Sequence, residues 1–223
     1  NHTLLEAVKT ISEQPITIEV DTINGLAKIS YQNGLFSLPI DNSDEYPQTQ
    51  EVDANANTII ISSNILADNI TRSVFATGQE EIRRVMNGIY FDLTPECLSI
   101  VATDGHKLVR NKVLNITSES PASFILPKKP ATLLKGMLNK DGGDVVIKFD
   151  DRNAEISFSD GTMTCRLIEG RYPNYNSVIP ASNPNQLRVD RLALLSALRR
   201  VQPFANGSSN LIRFRIDNGV LQL

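Results

Sequence analysis

The residues best placed to do chemistry are Asp104 and His106, which stand two apart in the stretch Val101-Ala-Thr-Asp-Gly-His-Lys-Leu108. A carboxylate beside an imidazole is a pairing that general acid–base catalysis uses, because histidine titrates near neutrality and a carboxylate can orient it. The flanking residues also fit other roles. Thr103-Asp104-Gly105 is turn chemistry: Asp can bond its own backbone two residues on, and Gly takes a positive φ at no steric cost. The apolar run Cys97–Val101 before it and Leu108-Val109 after it predict strand, tight turn, strand. A catalytic pair, a ligand-binding corner and a plain hairpin all fit these residues. Neighbours on a tight turn usually point apart, and no G-x-S-x-G, Walker loop, G-x-G-x-x-G or H-E-x-x-H accompanies them. Asp141-Gly-Gly-Asp144 lacks the remaining ligands of a calcium loop and predicts a turn. With two histidines and two cysteines in the chain, no zinc site is expected. A binding or scaffold module is favoured over an enzyme, with no cofactor and no metal.

At 223 residues and 41% hydrophobic, the chain has room for one large or two ordinary domains with real cores. Its net charge is −3, so the total does not advertise a nucleic-acid partner. Cys97 and Cys165 lie far apart in strand-like apolar runs and read as buried free thiols of a reducing compartment. No window approaches the ~20 apolar residues of a membrane span, and the start has no signal-peptide pattern. An intracellular protein is expected.

Several elements must position the turn. Leu4, Leu5, Val8 and Ile11 fall on helical spacing, predicting a helix over 3–13 that ends before Pro15. Strands follow at 16–20, 27–31 and 35–40, joined by Asn24-Gly25 and Asn33-Gly34, which are strong hairpin signals. Residues 41–56 are polar and read as a loop or linker around Tyr46-Pro47. A strand at 58–61 leads to a helix capped by Ser63 or Asn64 and running to about Ala76. Residues 78–84 form a charged loop, 85–93 a strand, and the stretch through Leu108 completes that hairpin. A strand at 124–126 precedes a helix over about 130–138, with Pro130 in its first turn and Leu133, Leu134, Met137 and Leu138 sharing one face. Strands at 145–149, 154–158 and 162–168 lead to a second polar linker. A helix from Leu187 to about Val201 and a hairpin starting at Leu211 close the order.

The order conceals a repeat. Ala27-x-Ile-Ser-Tyr31-x-x-Gly34 returns as Ala154-x-Ile-Ser-Phe158-x-x-Gly161, Tyr46-Pro47 as Tyr172-Pro173, and Val74-Phe75-Ala76 as Pro203-Phe204-Ala205, at a period near 127–129. A period this long implies tandem domains rather than a solenoid. Charge follows the repeat. Lys128, Lys129, Lys135 and Lys140 face no acid between 124 and 140. Arg188, Arg191, Arg199 and Arg200 stand against Asp190, so the two helical windows carry +7 and the rest −10 of a chain totalling −3. Such runs are commonly a solvated face, but recurrence on matching helices points to cations aimed at a phosphate backbone. The lack of a groove-reading motif makes any such contact blind to sequence.

Val85-Met-Asn-Gly-Ile-Tyr-Phe91, Val101-Ala-Thr-Asp-Gly-His-Lys-Leu108, Phe124-Ile-Leu-Pro-Lys-Lys129 and Glu169-Gly-Arg-Tyr-Pro-Asn-Tyr175 strongly resemble the bacterial DNA polymerase III β subunit family, the sliding clamps, along essentially the whole chain. The resemblance implies an α+β DNA clamp fold: tandem repeated clamp domains, each of helices packed on antiparallel sheets. Residues 1–56 would be the C-terminal half of one domain, 57–183 a complete second domain and 184–223 the start of a truncated third. Two such chains close head to tail around duplex DNA, so the family's function is non-catalytic: a processivity factor that tethers the polymerase III catalytic subunit, is loaded by a clamp loader, and works in the cytoplasm. By the resemblance, a partner-peptide pocket takes Met86, Thr103, Gly105, His106, Lys107, Leu108, Pro173 and Val178. Arg83, and Lys128 and Lys129 ahead of the helix, would face DNA. Phe36 and Leu38 on one side and Phe204 on the other would make the homodimer interface. Clamps often have Arg where Lys107 stands and a basic residue where Ser177 stands. A hydrolase or transferase using Asp104 and His106, or a repeat scaffold without DNA, remains as the alternative.

Overall fold

Alternating apolar residues broken by Asn, Asp and Gly turns give this chain its strands, and two helices cover the inner faces of the sheets they form. The structure, a computed structural model, describes residues 2–46, 51–138, 142–207 and 210–223. Pro47, Lys140 and Asp141 therefore lie outside the described residues. The chain divides into two compact units, Asn1–Tyr172 and Pro173–Leu223. The third domain expected from residue 184 would begin inside the second unit.

The first unit opens with helix α1, His2–Lys9. It stops short of the expected Glu13 because Thr10 and Ile11 turn back in i→i−3 bonds to Ala7 and Val8 at 3.2 and 3.1 Å, and the Thr10 hydroxyl bonds the same Ala7 carbonyl at 2.7 Å. Strands β1 (Thr17–Asp21), β2 (Leu26–Tyr31) and β3 (Gly34–Pro39) then form an antiparallel meander. Asp21 Oδ1 anchors the first turn by accepting from Ile23 and Asn24 N–H at 3.1 and 3.0 Å.

Strand β4 (Asn57–Ser62) runs directly into α2 (Ser63–Ser73), which continues as a 3-10 turn over Val74–Ala76. The N-cap is Ser62 and not the expected Ser63 or Asn64; Ser63 is the first helical residue, and its N–H, which has no partner within the helix, donates to Gly143 O at 2.9 Å. A further 3-10 turn, Arg84–Met86, precedes β5 (Gly88–Leu93), β6 (Leu98–Thr103), β7 (Leu108–Val113) and β8 (Ala122–Pro127). Then come α3 (Lys128–Met137), β9 (Asp144–Phe149), β10 (Asn153–Phe158) and β11 (Gly161–Arg166). Two four-stranded antiparallel sheets result, ordered β7-β6-β5-β8 and β11-β10-β9-β4. Helix α2 packs on α3 and on β4, β6 and β7, while α3 packs on β5 and β8. One core joins them: Phe91 stacks on Phe124 at 4.6 Å and Phe124 meets Phe149 of the other sheet at 4.4 Å. On α3 the buried residues are Ala131 and Leu134, with Leu138 buried at the C-cap, whereas Leu133 and Met137 are exposed. Four apolar residues therefore do not share one face; at about 100° per residue, 133 and 137 fall on the flank.

In the second unit a 3-10 turn spans Tyr175–Val178, and α4 covers Arg191–Val201 before a 3-10 turn at Gln202–Phe204. The helix begins after the expected Leu187 because Asp190 caps it, accepting from Ala193 N–H at 2.8 Å. Strands β12 (Arg215–Asp217) and β13 (Val220–Gln222) close through Asn218 and Gly219, both at positive φ; the hairpin is shorter than expected from Leu211. The repeat appears in strand register. Val20, Ala27 and Leu38 align across β1-β2-β3 as Phe149, Ala154 and Cys165 do across β9-β10-β11. Cys97 is buried, Cys165 is only half-buried, and both are free thiols.

Candidate functional site

Strand β6, buried along its whole length, delivers Thr103 to the turn and β7 leaves it at Leu108, the two residues pairing across the hairpin. Between them the turn is closed by its own side chains. Asp104 Oδ1 accepts from the N–H groups of His106 and Lys107, each at 2.9 Å, while Oδ2 takes the Lys107 ammonium. Thr103 Oγ1 accepts from Gly105 N–H at 3.1 Å and donates to Lys107 O at 2.7 Å. Gly105 sits at φ +91°, where a side chain would be strained. Below the turn, Thr103 N–H donates to Tyr172 Oη at 3.1 Å, and Tyr172 stacks on Tyr90 at 4.5 Å with 4° between the rings. Burial pushes the Tyr172 phenol up to about 12, so it stays a neutral hydroxyl.

This geometry decides the chemistry of Asp104. The Lys107 ammonium, then the Lys107 and His106 N–H groups, hold its carboxyl well below the usual aspartate range. Both oxygens serve the turn, and the bond to His106 runs to its backbone. A carboxylate held so low is a poor proton acceptor near neutrality. The pair has the form of a rigid corner rather than an acid–base dyad.

The loop facing the turn is pinned with equal care. Gly78 N–H donates to Met86 O at 2.8 Å, Asn87 Nδ2 to Glu80 O at 2.9 Å, and Lys128 N–H to Asn87 O at 3.1 Å. Gly88 follows because nothing larger fits: a Cβ there would lie 2.5 Å from Leu126 O. Loop and turn enclose a cleft of about 260 Å³ whose walls include Phe75, Arg83, Met86, His106, Lys107 and Lys128.

Met86 is half-buried on the 3-10 turn, which Asn87 N–H closes by donating to Arg84 O, and the strand expected from residue 85 begins at Gly88. Thr103 is buried and Leu108 half-buried at the two strand ends; Gly105, His106 and Lys107 are exposed. Pro173 is half-buried and Val178 is 67% exposed, both in the second unit. Lys128 and Lys129 are the first two residues of α3 rather than a lead-in to it. Extended Pro127 supplies the N-cap, and the missing N–H of Pro130 is harmless within the first turn. Arg83 and Lys128, expected to face DNA, border the same cleft as Met86 and His106. Phe36 and Leu38 are half-buried on β3 opposite Ile29 and Ala27, and Phe204 is 90% exposed.

Sequence reasoning missed Phe75, Glu80 and Tyr172 as site residues. Phe75 had a signal, its repetition as Phe204. Tyr172 had a weaker one in the repeated Tyr-Pro pair, and nothing in the charged loop singled out Glu80. Among the described residues no group of His, Cys, Asp and Glu could hold a metal ion, and no helix is long and apolar enough to cross a membrane.

Residues 60–174 match the family described as DNA polymerase III beta subunit, central domain. The beta sliding clamp of Synechococcus elongatus is 27% identical over 210 residues, covering 92% of this chain and 55% of that protein. The solved DNA polymerase III subunit beta from Pseudomonas aeruginosa superposes with a TM-score of 0.90 at 25% identity, over 99% of this chain and 60% of that one. A Helicobacter pylori beta clamp bound to a DNA ligase peptide shares the fold, with a TM-score of 0.80 at 21% identity over 89% and 55% of the two chains. The chain spans about half the length of the curated relatives it matches.

Proposed function

The chain belongs to the DNA polymerase III beta subunit family, and from that premise we propose that it is part of a DNA sliding clamp. The whole protein is then a non-catalytic ring that encircles duplex DNA and tethers the replicative polymerase. Residues 1–56 end one clamp domain, 57–183 make a second, and 184–223 open a third. The whole protein works in the cytoplasm as a homodimer and is loaded by a clamp loader.

The observation that carries this reading is the closed turn at Thr103–Leu108, with Met86 on the cleft beside it. Its polar groups are spent on rigidity, which suits recognition of a peptide and not proton transfer. We assign Met86, Thr103, Gly105, His106, Lys107 and Leu108, with Pro173 and Val178, to the partner-peptide pocket. The peptide found on the Helicobacter pylori clamp is the kind of occupant intended. Lys128 and Lys129, at the positive N-terminal end of α3, fit sequence-independent phosphate contact. Arg83 belongs with them in the DNA-facing set, and like Lys128 it borders the cleft. Phe36, Leu38 and Phe204 are kept for the ring interface.

The test is binding of a short peptide containing Gln, Leu and Phe to the full-length protein, read by fluorescence anisotropy. A carboxylate placed in an apolar pocket by Met86→Asp or Leu108→Asp should weaken binding at least about tenfold, equivalent to about 1.4 kcal/mol, with unchanged circular dichroism. Affinity left intact by both substitutions would remove the pocket from these residues. Turnover of any substrate lost on His106→Ala, with peptide binding preserved, would instead favour a hydrolase or transferase.

A further inference from the structure

The cleft beside the turn carries charge of both signs: Arg83, Lys107 and Lys128 against Glu80 and Asp104. Each carboxylate already holds one cation. Asp104 takes Lys107 and in doing so builds the turn. Glu80 has a different relation to Arg83. Arg83 Nε and Nη2 both donate to Glu80 Oε2, at 3.1 and 2.8 Å, but the two side chains are 42% and 60% exposed. A pair so open to solvent is weakly held and screened by salt. The remaining edge of the guanidinium, Nη1, lies against the turn, 2.7 Å from where a Cβ on Gly105 would stand. The bare α-carbon of Gly105 therefore lets Arg83 reach across to the turn, so the guanidinium is placed from two sides. Phe75, 61% exposed, and Met86 supply apolar wall beside it.

We propose that Glu80 is an internal stand-in for a partner's carboxylate: the cleft takes a peptide carrying an Asp or Glu side chain next to its apolar anchor, and that carboxylate displaces Glu80 from Arg83. The inference rests on the peptide-docking reading above and adds to it the charge of the ligand and the residue that competes with it. Charge complementarity supports the occupant. With Glu80 and Asp104 each matched to a cation, Lys128 leaves the cleft one positive charge in excess, which favours an acidic side chain over a neutral or basic one. Displacement costs little because the freed Glu80 is already near water.

Two peptides identical except for a single Asp→Asn change, flanking the same Leu and Phe, are titrated against the full-length protein by fluorescence anisotropy. The wild type should prefer the acidic peptide, and the preference should shrink as salt is raised. Glu80→Gln removes the competitor and should tighten the acidic peptide by about two- to fivefold, the size of an exposed ion pair, while leaving the Asn peptide unchanged. Arg83→Gln should erase the preference. Equal tightening of both peptides by Glu80→Gln, equal binding of both by the wild type, or a preference that survives Arg83→Gln would overturn the proposal. Those results leave the docking reading intact, whereas failure of both peptides to bind, or indifference of the Asn peptide to Met86→Asp, would remove docking itself.

Discussion

Asp104 shows how a residue that looks reactive becomes architectural. The turn takes both oxygens of its carboxylate for two backbone N–H groups and an ammonium. The energetic sign follows from linkage. Its folded pKa lies below the ordinary value of 3.8, so the unfolded chain binds the proton more readily. The stability Asp104 contributes is therefore present above pH 3.8 and drains away as pH falls through and below that value. Urea unfolding at pH 7 and pH 3 should show this. The wild type should lose more stability between the two than Asp104→Asn, whose amide does not titrate; equal losses would mean the turn draws nothing from the charge. Thr103, Gly105 and His106 were legible as a turn because turn chemistry is local. Tyr172, which holds Thr103 from below, lies 69 residues away, and no local pattern joins the two.

At the scale of elements, α2 and α3 are each held through one buried stripe. Leu134 is fully buried and its neighbour Leu133 is 53% exposed, so adjacent leucines make a controlled comparison. Leu134→Ala should cost about 2–5 kcal/mol by chemical denaturation, from lost transfer energy and the cavity left behind, while Leu133→Ala should stay within about 0.5 kcal/mol. Similar losses at both would mean that α3 sits differently on its sheets. The helix starts were the least legible features. Ser63 looked like a cap but is the first helical residue, with its N–H satisfied by Gly143 O, and α4 begins only after Asp190. Val85 and Met86 continue an apolar pattern, yet Met86 lies on a 3-10 turn, where its carbonyl accepts from Gly78 N–H. The Gly143 contact at α2 is tertiary, whereas the Asp190 cap of α4 is itself local.

At the scale of the whole molecule, the proposed ring depends on apolar residues left facing water. Phe204 is 90% exposed, a placement that makes its replacement harmless to the fold and costly to an interface. In the full-length protein Phe204→Asp should shift sedimentation from dimer to monomer with circular dichroism unchanged, and Phe36→Asp should do the same from the other side; dimers that persist in both variants would place the interface elsewhere. By itself the sequence determined the strands, the turns, the long repeat and the family. Those signals lie in alternation, in Asn-Gly and Asp-Gly pairs, and in residues that recur along the chain, all of which are local or periodic. Only the tertiary structure decided that Tyr172 holds Thr103 from below, that Arg83 lies against Gly105, and that Lys128 begins a helix on the rim of the same cleft. Those outcomes depend on β5 pairing with β8 and on Tyr172 reaching back to β6. Such long-range contacts choose among side-chain partners that the local chain leaves equally available.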